Sequence, residues 1–230
     1  MKTANRFLTA FAVFFLYTSC QKSEMQDLKS QASKAESSET RQSSIDKKNL
    51  AIGNLYGGGI IVYLDETGNH GLIAALQDVG PAPWGCDGTL IPYIDYSLSG
   101  EEHTRQILAY CNEPGIAARL CDELVVREKG DKGKKYDDWF MPNSNEFYRI
   151  LTAANSLDDM NFTNSISLGG YWLPYQWFGT FQAFPVDPST NAHYVIMTSY
   201  GTPPDLNVIA FTQMPLSKTS TLRVRPVRRF

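Results

Sequence analysis

The chain has 230 residues, 43% of them hydrophobic, with 21 Lys and Arg against 24 Asp and Glu and a formal charge of −3. That balance argues against a nucleic-acid ligand and against a broad polybasic membrane surface. Four cysteines without a CxxC pair, and histidines without metal spacing, argue against zinc or thioredoxin-type chemistry; neither a metal nor a cofactor is expected.

Lys2 and Arg6 form a basic start before the apolar run Phe7–Leu16, which is shorter than the roughly 20 residues of a stable membrane span. The run ends in Leu16-Tyr17-Thr18-Ser19-Cys20, and this resembles a bacterial lipoprotein signal in which Cys20 is lipidated and becomes the new N-terminus. An ordinary secretory leader is the alternative, and either one exports the protein. Loss of residues 1–19 takes Lys2 and Arg6 away and moves the formal charge from −3 to −5. Residues 20–50 follow as a lipidated end and a polar tether. Between Gln21 and Leu50 there is no aromatic residue, Gly or Pro, so too little apolar surface is on hand to offset ordering entropy.

From 51 to 230 the composition turns aromatic and Gly-rich, enough for one domain with a core. Gly57-Gly58-Gly59 leads into a strand with no following Lys-Ser/Thr, which excludes a phosphate loop. Ile60–Leu64 and Gly71–Leu76 flank Asp65–His70, a hairpin pattern in which Gly68 and Asn69 are suited to positive φ. Trp84–Thr89 reads as a turn. Helical spacing runs over Glu101–Cys111 and again over Ile116–Val125. Glu113-Pro114-Gly115 breaks the chain between them, so the pairing among Cys86, Cys111 and Cys121 stays open. Asn112-Glu113-Pro114 has the wrong order for a calcium-dependent sugar site and is read as a helix stop.

Tyr136–Arg149 reads YDDWFMPNSNEFYR, and its paired carboxylates Asp137 and Asp138 invite an acid/base reading. The simpler reading is a joint: Trp139 packs as core, Pro142 fixes φ, and Asn143 with Glu146 three residues later forms a capping box for a helix over Ser144–Ala154. Strands are expected at Tyr171-Trp172, Tyr194–Ser199, Asn207–Gln213 and Leu222–Phe230, giving an α+β domain.

The blocks GGGIIVYLDETGNHGLIAA, WGCDGT, AARLC, DDWFMPNSNEF, YW and RVRPVR, in that order over about residues 52–230, resemble the Legionella collagen-like protein C-terminal domain family (DUF1566), close to the Fibrobacter major paralogous domain. Phe140, Met141 and Asn143 replace that family's usual Arg, Leu and Ser/Thr. The resemblance implies a C-type-lectin-like fold with two or three short helices and twisted antiparallel strands. It also implies surface adhesion, with sulfated polysaccharide as a ligand of some members.

Two segments are candidates for binding. Tyr171–Phe184 holds seven aromatics, more than one strand with alternating faces is expected to hide, so Tyr175, Trp177 and Phe178 are candidates to stack on sugar. Arg223 and Arg225 in RVRPVRR offer guanidinium forks to sulfate or carboxylate. His70, His103 and His193 stand isolated in turn, helix and strand contexts and are read as structural or surface residues. No GxSxG, Cys-His dyad or HExxH is present, so no enzyme is expected. The expected protein is a lipid-anchored envelope component, on the outer membrane, with a non-catalytic glycan-recognition domain. The alternative is an assembly subunit whose aromatic loop docks an envelope protein.

Overall fold

A computed structural model describes residues 50–92, 95–127, 133–156, 169–176, 179–182, 184–200 and 208–230. The leader, Cys20 and the tether lie outside them, and so do Trp177 and Phe178. Among the described residues no helix is long and apolar enough to cross a membrane.

The chain opens with strands β1 (Leu55–Tyr56), β2 (Gly59–Leu64), β3 (Gly71–Ala75) and β4 (Pro81–Pro83). Helices α1 (Gly100–Tyr110) and α2 (Ala117–Asp122), the short strands β5 (Val126–Arg127) and β6 (Lys135–Tyr136), and helix α3 (Ser144–Ser156) follow. The last part is strand: β7 (Gly169–Gln176), β8 (Gly179–Phe181), β9 (Phe184–Val186), β10 (Asn191–Tyr200), β11 (Val208–Ser217), β12 (Thr221–Arg223) and β13 (Val227–Arg229). The domain is therefore α+β, with short helices in the middle of the chain and mainly antiparallel sheets.

The first sheet has the order β1-β2-β3-β13, so the end of the chain completes the sheet that its opening hairpin begins. The second has the order β11-β10-β7-β12-β4, with one parallel contact where Arg223 of β12 faces Tyr171 of β7. The single strand expected over Leu222–Phe230 is two strands in two sheets. Val224–Pro226 carries the chain from one to the other, and Pro226, which has no N–H to give to a ladder, lies in that step.

Gly59–Val62 of β2 are all buried because both faces of the first sheet are covered. Ile60 and Val62 join the main core with Ile107, Phe147, Ile150 and Trp172, while Ile61 on the opposite face meets Ile73, Tyr136 and Trp139. The same holds for β7, whose described side chains from Tyr171 to Gln176 are all buried. This corrects the expectation for Tyr175, while that for Trp177 and Phe178 lies outside the described residues. Alternation exposes half a strand only when one face meets water, and here neither face of β7 does.

In the hairpin turn Gly68 has φ +67°, whereas Asn69 is not in the left-handed region. Helix α1 starts at a full capping box: the Ser99 hydroxyl accepts from the Glu102 N–H, and a Glu102 carboxylate oxygen accepts from the Ser99 N–H at 3.0 Å. Its C-terminal neighbour Cys111 is bonded to Cys86 across a Cα–Cα distance of 5.9 Å, and Cys121 is a buried free thiol. Glu113, one residue past Asn112, accepts the Cys86 N–H at 2.9 Å and so braces the turn that carries the disulfide.

Candidate functional site

The DDWF segment is a joint with the end of the chain. Phe140 and Val227 exchange main-chain hydrogen bonds of 2.8 and 3.0 Å, and Arg228, the residue after Val227, donates to both oxygens of Asp138, two residues before Phe140, at 2.6 and 2.8 Å. The Arg228 guanidinium lies 4.6 Å from the Tyr136 ring centre and 6.0 Å from that of Trp139, whose indole N–H donates to Tyr136 O. Asp137 turns away to Lys135 at 2.5 Å, and that hydrogen bond holds its carboxyl below the usual range.

Asn143 caps α3 by accepting the Glu146 N–H at 2.8 Å, and Glu146 returns the bond to the Asn143 N–H at 2.9 Å. Pro142 sits buried one residue earlier. Glu146 also accepts the Gly100 N–H at 3.1 Å and Arg229 at 2.5 Å, which ties α1, α3 and β13 together. Gly100 has to be glycine for this approach, since a Cβ there would lie 2.5 Å from Glu146 Oε2 and 2.2 Å from Met141 O. Burial pushes the Glu146 carboxyl above its ordinary pKa, but both of its oxygens are already held by donors.

The arginine motif is largely internal. Arg225, 2% exposed, donates to Asp78 at 2.7 Å and to Ala75 O at 2.8 Å, so it offers nothing to a solvent ligand. Arg223 is half-exposed, 3.8 Å from the same Asp78, at the rim of a shallow recess of 260 Å³ beside Pro81 and Leu222. Tyr175, 4% exposed, is corrected as well. Its ring is edge-on to His103 at 4.8 Å and to His193 at 5.6 Å, and it tilts against Tyr96 at 5.1 Å. Burial pushes its hydroxyl up to about 12. Thus two histidines that are isolated in sequence meet on one tyrosine. Burial lowers both of their pKa values, that of His193 to about 4.

Another cation is buried without any signal in the sequence. Lys218, 0% exposed, lies 4.7 Å from the Trp84 ring centre and donates to Thr89 O at 2.8 Å and Cys86 O at 3.4 Å. Burial lowers its ammonium to about 8. The nearest approach to a metal-ligand cluster among the described residues is Cys86, Cys111 and Glu113, and the first two are joined as a disulfide rather than offering thiolates.

Among the described residues a cleft of 440 Å³ is built by three segments far apart in sequence: the end of the β2–β3 hairpin, the first turns of α3, and the close of β13. Asp65 shapes the hairpin side by accepting the Thr67 hydroxyl at 2.8 Å, which lowers its carboxyl pKa. The His70 Nδ1 lies 3.3 Å from the main-chain oxygen of Phe230. Asn145 and Arg149, one helical turn apart, are exposed on the cleft side of α3. The Arg149 guanidinium lies 4.3 Å from the Tyr63 ring centre, and no hydrogen bond or ion pair joins it to another described residue. Leu72 and Phe230 supply apolar wall.

Glu146 and Arg229 of the cleft are therefore engaged with each other, while Asn145 and Arg149 keep their donors open, an arrangement suited to holding an acceptor-rich ligand. Sequence reasoning missed this site. The only local sign is Asn145 and Arg149 at helical spacing on an exposed face, and its other walls arrive through sheet pairing. No protein-family profile matches the chain, and no curated protein matches it.

Proposed function

We propose that this is a lipid-anchored component of a bacterial envelope, held through Cys20 at the outer membrane, whose domain over 51–230 is C-type-lectin-like and recognises saccharide without catalysis. The mixed architecture of short helices and mainly antiparallel sheets is compatible with that fold, and the ordered motif blocks resemble the DUF1566 group. The observation that carries the reading is the cleft between the opening hairpin, α3 and β13. Its volume of 440 Å³ falls within the range of about 300–1,000 Å³ common to small-molecule sites. It joins aromatic and aliphatic wall to hydrogen-bond donors that the fold leaves open.

The test is binding of the full chain to immobilised neutral, carboxylated and sulfated glycans, with Asn145→Ala/Arg149→Gln as control. Saturable binding lost in the double variant supports recognition at the cleft. A well-folded chain that binds no glycan but co-purifies stoichiometrically with one envelope protein moves the function to assembly.

A further inference from the structure

Resting on the saccharide reading, we infer that the cleft takes a singly charged acidic sugar, a uronate unit, whose carboxylate is forked by Arg149 while its ring lies against Phe230 and Leu72. Two arginine and two carboxylate side chains line the cleft. Arg229 is neutralised by Glu146 at 2.5 Å, and Asp65 is fixed in the hairpin turn. Of the two guanidinium groups, that of Arg149 is the one with no ion pair to another described side chain. A group bearing two charges, or a run of sulfates, would set its second charge against Asp65 and Glu146 with no second open cation to meet it.

Geometry favours a carboxylate for the same reason. A guanidinium over the Tyr63 ring at 4.3 Å is held by that contact and keeps its N–H edge for a partner. A planar, two-oxygen anion is the shape that this edge pairs with bidentately. The remaining walls suit a sugar ring. Leu72 and the half-buried Phe230 present apolar surface to C–H groups, and the exposed Asn145 and His70 at the rim are placed to meet hydroxyls. An aromatic residue at a peptide C-terminus shares the ring and the carboxylate but has no hydroxyls for that rim.

The experiment is calorimetric titration of the full chain with tetragalacturonate, its methyl ester, dextran sulfate, and a short peptide ending in phenylalanine. Tetragalacturonate is expected to bind saturably. Methyl esterification and Arg149→Met are each expected to weaken it about tenfold or more, and Arg149→Lys, which keeps the charge and loses the fork, is expected to restore only a minor part. Unchanged thermal unfolding of both variants separates this from misfolding. Equal binding of ester and free acid would overturn the uronate assignment and leave saccharide recognition standing, as would tighter, Arg149-independent binding of dextran sulfate. Arg149-dependent binding of the peptide alone would overturn the saccharide reading itself, and no binding of any probe would overturn both.

Discussion

Asp137 and Asp138 are 51% and 56% exposed, close to identical by accessibility, yet their partners differ in kind. The partner of Asp137 is a lysine in water, and a pair of that sort contributes little because both charges stay solvated and screened. The partner of Asp138 is Arg228, whose side chain is 10% exposed and stacked over Tyr136, so losing the carboxylate strands a mostly buried guanidinium. Asp138→Asn is expected to cost about 1–2 kcal/mol in urea unfolding, and Asp137→Asn to leave the midpoint where it is. Equal effects from the two substitutions would show that the Arg228 fork does not act in solution. The doublet itself is plain in the sequence. Which of its members is structural is not, because Arg228 lies 90 residues away and is brought near only by the pairing of Phe140 with Val227.

Elements begin where a side chain can satisfy the free N–H groups of a first turn, and such starts are local enough to read. Asn143 and Glu146 predict the start of α3 at Ser144, and the same logic applied to Ser99 and Glu102 would have moved the start of α1 from Glu101 to Gly100. Strand fates are less legible. The RVRPVRR segment shows charge at alternate positions, the pattern of a solvated edge, but β12 and β13 divide it between two sheets and Asp78, Asp138 and Glu146 take its arginines. Those acids come from three other segments, and no local pattern announces them. Because the cap of α3 is also the joint to α1, Asn143→Ala removes the bond to the Glu146 N–H and that from the Asn143 amide to Leu98 O at 3.1 Å. The expected loss is about 2 kcal/mol, at the high end for a cap. A loss of only a few tenths by chemical denaturation would mean that Glu146 alone fixes the helix start.

At the scale of the whole molecule, burying ionisable groups so that desolvation outweighs what their neighbours return makes stability depend on pH at both ends, with the same sign. His193, wedged between Tyr175 and Tyr96, is lowered to about 4, and Lys218, under Trp84, to about 8. In each case the folded state binds fewer protons than the unfolded chain between the lowered and the ordinary value, so stability rises with pH across that interval. For His193 the interval is 4 to 6.5, and stability is lost as pH falls through it; His103, lowered in the same direction by burial, adds to the loss. For Lys218 the interval is 8 to 10.5, and the cost of a buried ammonium, present at neutral pH, is relieved as the pH climbs. Tyr171 and Tyr175, raised to about 12 by burial, act in the opposite sense above the ordinary tyrosine range, which confines the alkaline test to pH below 10. The carboxylates titrate over part of the acid window, so the histidine contribution has to be read as a difference between proteins. Wild type is expected to lose about 2 kcal/mol more than His193→Phe between pH 7 and 4.5, and to gain about 2 kcal/mol more than Lys218→Met between pH 7 and 9.5, in guanidinium unfolding at fixed ionic strength. Parallel curves for wild type and His193→Phe would mean that the ring is protonated in place and that the packing around Tyr175 yields to it. Parallel curves for wild type and Lys218→Met would mean that water reaches the ammonium beneath Trp84, and the turn carrying the disulfide would then be looser than its hydrogen bonds to Lys218 imply.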